Sequence, residues 1–446
     1  MGSKWEKIKL KEVVDIITTK VDVSQISLCD YISTENMLTN FGGISIANSK
    51  PSTGKITKFH SGDILFSNIR TYFKKLWLAD RTGGCSNDVI VFRPKKNINS
   101  NYILSVLMDQ KFIEYTVLTS KGTKMPRGDK TAILDYEFNL APDKYCQHIA
   151  KINTLILSKL KSNEVINKSL EQMSQTLFKS WFVDFDPVID NALDAGNLIP
   201  EALQSRAELR QKVRNSADFK PLPAEFRSLF PSEFEETELG WVPKGWKEGT
   251  LPEIAFINST SWTNKNQPDY INYVDLSNAK DGRIYSIEKL SFNDAPSRAR
   301  RILKKDDLIF GLVRPANRSF AYVHVDGLTG STGFAVIRAQ KAIYKNFIYY
   351  FVTYDKNIEE LTRIADGGAY PAIKHDDICA LPLIIPSINI IEKFDELTSN
   401  FREMMNNSLI QNEYLTNLRG TLLPKLISGE LSLEDLPDLT TDTEAA

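Results

Sequence analysis

The feature that most restricts the fold of this chain is an internal repeat at a nearly constant offset. Asp63-Ile64-Leu65-Phe66 followed by Ile69-Arg70 returns 244 residues later as Asp307-Leu308-Ile309-Phe310 followed by Val313-Arg314. At 245 residues, Val91-Phe92-Arg93 matches Val336-Ile337-Arg338, Asn101-Tyr102-Ile103 matches Asn346-Phe347-Ile348, and Gly122 and Pro126 match Gly367 and Pro371. Trp5, Leu10, Glu12 and Val13 align with Trp246, Leu251, Glu253 and Ile254 at 241. One apolar word can recur by chance; a co-linear series with so little drift implies duplication. A chain of 446 residues exceeds one ordinary core at about 150 residues per domain, and the repeat says how it divides. Each copy is a globular domain followed by one long helix.

The globular parts, residues 4–142 and 245–387, hold short β-rich runs punctuated by Gly, Pro and Asn clusters. Each also has one helical stretch, Asn101–Leu118 and Lys345–Arg363, so the class is α+β with mixed domains and no doubly wound alternation. In the helical parts, Ile149, Ile152, Ile156, Ile166, Leu170, Met173 and Leu177 step by threes and fours, a coiled-coil seam. The second copy places Phe394, Leu397, Phe401, Leu415, Leu418 and Leu422 in the same register. Asn163 and Ser408 mark a shared polar interruption. Helices of roughly 50 Å, at 1.5 Å per residue, outreach a domain of this size, so an antiparallel pair with pseudo-two-fold symmetry is expected. The expected division is 1–145 and 245–387 for the domains, 146–185 and 388–430 for the helical spacers, 186–244 for an acidic linker and 431–446 for an acidic tail.

The net charge of −1 hides an uneven layout: +6 over 1–145, +3 over 146–182, −5 over 183–245, +2 over 246–386 and −7 over 387–446. Basic domains separated by acidic connectors are compatible with polyanion contact at two places. The four cysteines and four histidines are scattered, which gives no metal site. No phosphate loop, dinucleotide fingerprint, H-E-x-x-H helix, nucleophile elbow or base-flipping methyltransferase word occurs, so no catalytic residue is expected. Asp306, Asp307 and Lys304 read as a solvated turn. Every apolar stretch is too short or too charged to span a membrane, so a cytoplasmic location is expected.

The words LFKSWFVDFDPV (Leu177–Val188) and LRGTLLPKLISGELSLEDL (Leu418–Leu436), with the connector words DNALDAGNLIPEAL and FPSEFEETELGWVPKGW, resemble the helix ends and linker of the specificity (S) subunit of type I restriction-modification systems. The resemblance implies a non-catalytic DNA-recognition subunit with two target recognition domains reading a bipartite, asymmetric target in double-stranded DNA. It implies two modification (methyltransferase) subunits and two restriction subunits as partners. S-adenosylmethionine, ATP and Mg belong to those partners, with no cofactor in this chain. It also makes the apolar helix ends the partner-binding candidates: Phe178, Trp181, Phe182 and Phe185, with Leu422, Leu423, Leu426 and Ile427. The rival is a duplicated coiled-coil scaffold for proteins or small ligands.

Family motifs do not identify the base contacts, so these follow from chemistry: Arg and Lys for phosphates and guanine, Asn for adenine, aromatics for stacking. In the first domain the candidates are Arg70, Tyr72, Lys74 and Lys75 after the repeated strand, with Lys121, Lys124 and Arg127 in the glycine-proline loop. In the second they are Arg314, Asn317 and Arg318, Tyr370 and Lys374, and the run Arg298, Arg300, Arg301.

Overall fold

The structure, a computed structural model, describes residues 5–122, 124–365 and 371–431. It divides into two compact units along lines different from the repeat: residues 1–164 with 409–446, and residues 165–408. The long helices Asp143–Phe178 and Ile388–Ser428 therefore each start in one unit and finish in the other.

The first unit is built on two four-stranded sheets. One runs in the order Val14–Ile16, Val89–Pro94, Ile64–Ser67, Leu76–Leu78, all antiparallel. Its central strand Ile64–Ser67 is buried throughout, as a short apolar run between covered faces should be. The other sheet runs Lys20–Asp22, Lys55–Phe59, Gly83–Cys85, Tyr31–Ile32. In the second unit the first order recurs as Ala255–Ile257, Phe334–Ala339, Leu308–Gly311, Phe320–Tyr322. The second sheet differs at its edges: Leu328–Ser331 lies between Ala299–Leu303 and Tyr270–Val274, and the outermost strand, Glu288–Ser291, is added beyond Tyr270–Val274.

Both first sheets contain the same buried ion pair. Arg93 donates from Nε and Nη2 to the two oxygens of Asp63, each at 2.7 Å, and Arg338 does the same to Asp307 at 2.7 Å. Asp307 is wholly buried and also accepts from the Lys304 amide, so the expected solvated turn is instead a structural anchor. The helical stretches Asn101–Leu118 and Lys345–Arg363 are each broken in two, into Ser100–Leu107 with Gln110–Leu118 and Lys345–Val352 with Asp355–Ala365. In the first unit the break is made by Asp109, whose carboxylate caps the new helix at the Lys111 amide.

The helix ends complete the two cores. In the first unit Ile149, Ile152 and Ile156 pack in one cluster with Leu423, Leu426 and Ile427 and with Phe66, Phe92 and Phe112. In the second, Phe178, Trp181, Phe182 and Phe185 pack with Trp246, Phe347 and Phe394. Seven of the eight residues expected to bind partners are thus core, none more than 8% exposed, and Leu422 is partly buried against the first cluster. Their apolar surface is used by the chain itself, so they are not a docking face. Met173 and Leu418, expected in the seam, are 53% and 48% exposed. Asn163 is buried in the first unit and donates to Gln411 Oε1 at 2.8 Å and Asn412 Oδ1 at 2.7 Å.

The connector is ordered. Helices Asp186–Ala195 and Glu201–Arg214 are joined by a ladder in which Arg206, Arg210 and Arg214 reach Asp186, Asp190 and Asp194, with Arg227 also on Asp194. Partners four residues apart on both helices put the three rungs on facing sides.

Trp181→Ala is expected to lower the stability of the isolated chain by about 3–5 kcal/mol, the range for a large core truncation, measured by urea denaturation; a partner-interface residue would leave that curve unchanged. Burial pushes the His324 imidazole down to about 4 from 6.5. The folded state then binds fewer protons than the unfolded one, so this stability is present above pH 6.5 and is lost as pH falls toward 4. Melting temperatures of the wild type and His324→Phe should therefore diverge through that acid range, with the variant showing the shallower decline.

Candidate nucleic-acid interface

In the first unit the buried strand Ile64–Ser67 leads into a tight turn with two left-handed residues, Arg70 (φ 49°) and Lys74 (φ 54°), bracketing Thr71–Phe73. Side chains other than glycine seldom adopt this conformation, so surrounding contacts must hold it. The glycine-proline loop provides them. The Arg70 amide donates to the Pro126 carbonyl at 2.9 Å, and the Gly128 amide donates to the Asn68 carbonyl at 3.0 Å. Gly128 admits no side chain, since a Cβ would stand 2.8 Å from Asn68 Oδ1. In the second unit Arg314 (φ 49°) and Arg318 (φ 55°) bracket Pro315–Asn317 in the same way. There the Arg314 amide donates to Pro371 and the Ile373 amide to Leu312, both at 2.9 Å.

The turn and loop bring Arg70, Tyr72, Lys74, Lys121, Lys124 and Arg127 together in the first unit. Tyr72 is 46% exposed, with its ring 4.8 Å from that of Phe73. Lys75 turns inward: it donates to the Thr34 carbonyl at 2.6 Å, and burial pushes its ammonium down. Lys121 is taken by Asp129, whose carboxyl it holds below the usual range, and Arg127 by Asp88 at 3.1 Å. Arg70, Lys74 and Lys124 have no carboxylate partner among the described residues.

In the second unit Arg314, Asn317 and Arg318 share the turn, and Lys374 follows the paired Ile373. Arg318 is neutralised by Asp281 at 2.8 Å and Asp355 at 2.7 Å. Arg314 and Lys374 have no carboxylate partner among the described residues. Tyr370 lies outside the described residues. Arg300 and Arg301 lie on the strand Ala299–Leu303 of the other sheet, and Arg298 just precedes it. Arg298 pairs with Asp275 at 2.9 Å, Arg300 lies over the Phe292 ring at 4.8 Å, and burial pushes Arg301 down. Sequence reasoning missed Met125, which is 53% exposed beside Lys124, and it missed the acids that take up Lys121, Arg127, Arg298 and Arg318. Those acids carry no local signal, because Asp88 and Asp281 are 39 and 37 residues from the arginines they meet.

Uncompensated cations on a braced turn are chemically suited to phosphate oxygens. Among the described residues no cluster of metal-ligating side chains occurs, and no helix is long and apolar enough to cross a membrane.

The family model for the type I restriction modification DNA specificity domain matches residues 2–172. The HindI specificity subunit of Haemophilus influenzae is 26% identical, over 96% of this chain and 100% of that protein. Along nearly its whole length the chain is therefore similar to type I restriction specificity subunits. The MjaIX specificity subunit of Methanocaldococcus jannaschii is 23% identical over 97% of this chain and 94% of that one. A crystal structure of a type I S subunit from M. genitalium shares the fold at a TM-score of 0.53 and 13% identity, covering 95% of this chain and 96% of that one.

Proposed function

We propose that this chain is the non-catalytic, DNA-reading subunit of a type I restriction-modification complex, each unit contacting one part of a bipartite target. The observation that carries this reading is the recurrence, in both units, of a left-handed cationic turn braced by a loop. Arg70, Lys74 and Lys124 in one unit, and Arg314 and Lys374 in the other, are left without carboxylate partners among the described residues. Different second sheets beside similar first sheets support two unlike half-targets. S-adenosylmethionine, ATP and Mg are assigned to modification and restriction subunits that this chain assembles.

The docking surface is reassigned from the buried helix ends to exposed apolar positions on the long helices. Val165 and Met173, eight residues apart, are 58% and 53% exposed; Ile410 and Leu418, their repeat counterparts, are 45% and 48% exposed. One such pair lies in each unit, which supports two copies of the modification subunit.

The test is fluorescence anisotropy on duplex DNA across a salt series, with and without a co-expressed modification subunit. Binding by the chain alone should be weak and steeply salt-dependent, and the partner should make it tight and sequence-specific. Lys124→Ala and Arg314→Ala should each reduce the log–log salt slope by about 1. Salt-indifferent binding would favour the scaffold instead. In native mass spectrometry, Met173→Glu or Leu418→Glu alone should remove one modification subunit, and the double variant should remove both with the melting temperature unchanged.

A further inference from the structure

The first unit contains a cleft of about 710 Å³. Its walls are the loop 38–46, the strand Leu76–Leu78, the helix Ser100–Leu107 and segments of both long helices, all within that unit. The second unit shows why the space is open. There Arg402 lies over the rings of Tyr322 and Tyr349 at 3.9 and 4.3 Å and donates to Asn346 Oδ1 at 2.7 Å, filling the corresponding position. At the repeat offsets, Tyr322, Tyr349 and Arg402 correspond to Leu78, Leu104 and Leu157, all three of which line the cleft. Two rings and a guanidinium are replaced by three smaller aliphatic side chains.

The cleft has its own arginine on a different wall. Arg419 is only 8% exposed, and its guanidinium lies over the Phe41 ring, 5.1 Å away. Phe41 is itself fixed, because its amide donates to the Lys74 carbonyl at 2.8 Å. Among the described residues Arg419 has no hydrogen-bond acceptor and no carboxylate, and burial alone acts on it, pushing it down. Of the two acids on the rim, Asp80 is taken by Arg81 at 2.9 Å and Glu164 is also partnered. Lys161 adds a second positive charge at the rim. A guanidinium stays charged at any physiological pH, and a buried charge without a counter-charge is costly to keep. With one face against Phe41, its N–H edge is left for a planar or tetrahedral anion. Trp77, Leu104 and Met108 give the cleft an apolar floor and side wall.

We propose that this cleft binds a small organic anion, a carboxylate or phosphate on an aromatic or apolar body, with Arg419 holding the anionic group.

The test uses the full chain and three probes: 1-naphthaleneacetate, 1-naphthyl phosphate, and 1-naphthaleneacetamide as the neutral isostere, titrated by calorimetry and saturation-transfer NMR. At least one anion should bind saturably at one site per chain and raise the melting temperature. The amide should bind at least about tenfold more weakly, the order of one lost charge-assisted contact. Arg419→Gln should lower the anion's affinity to that of the amide. Leu78→Tyr with Leu104→Tyr and Leu157→Arg, which rebuilds the plug of the second unit and keeps Arg419, should abolish binding even if the Gln variant folds poorly. The proposal fails if no probe binds saturably, if the amide equals the anions, or if the plugged variant binds as the wild type does. The preferred anion tells carboxylate from phosphate.

Discussion

Neither globular part can close its core alone, and everything else in the architecture depends on how that deficit is met. In each unit the floor of the core is made by the start of one long helix and the end of the other: Ile149 and Ile156 with Leu426 and Ile427 in one, Ile390 and Phe394 with Phe178 and Trp181 in the other. Burying such side chains is worth about 1.5–3 kcal/mol each, so the helix ends are held by the same force that folds the domains. The aromatic words at the helix ends are therefore structural, and the apolar surface left along the helices is what remains exposed.

Above that floor, a buried carboxylate–guanidinium pair recurs in both first sheets. Asp63 and Asp307 are 2% and 0% exposed, and each is met by a bidentate arginine from the neighbouring strand. Removing one partner from such a pair leaves an uncompensated buried charge, which makes the pair a strict register constraint. The strand that follows each Asp delivers the left-handed turn to the same place. The cations of that turn are thereby held at fixed positions. The second sheets diverge at their outer edges, away from the anchor in the first sheets.

Many charges at the connector and the loops are consumed internally. Four aspartates of the acidic connector are met by arginines, and the glycine-proline loop loses Lys121 and Arg127 to Asp129 and Asp88. Arg70, Lys74, Lys124, Arg314 and Lys374 on the braced turns and loops, and the buried Arg419, have no carboxylate partner among the described residues. Internal pairing, more than net charge, decides which cations are available to ligands.

The amino-acid sequence by itself determined the duplication, the mixed class, the long helices and the cationic loops, because each is written in local period, in the spacing of repeated words, or in composition. It also brought Arg70 and Lys124 into one candidate set, since corresponding loops occupy corresponding places. It could not say that Phe178 and Leu426 are core, that Met173 and Leu418 face solvent, or that Asp307 is buried. An apolar stripe on a helix looks the same whether its own chain or another covers it, and a turn Asp looks the same with or without an arginine 31 residues later. Only the tertiary structure decided which helix end meets which core, which cations lose their charge to a neighbour, and where three leucines leave a space that two tyrosines and an arginine fill in the other copy. These outcomes depend on contacts between residues far apart in the chain, and such contacts leave no trace in local sequence.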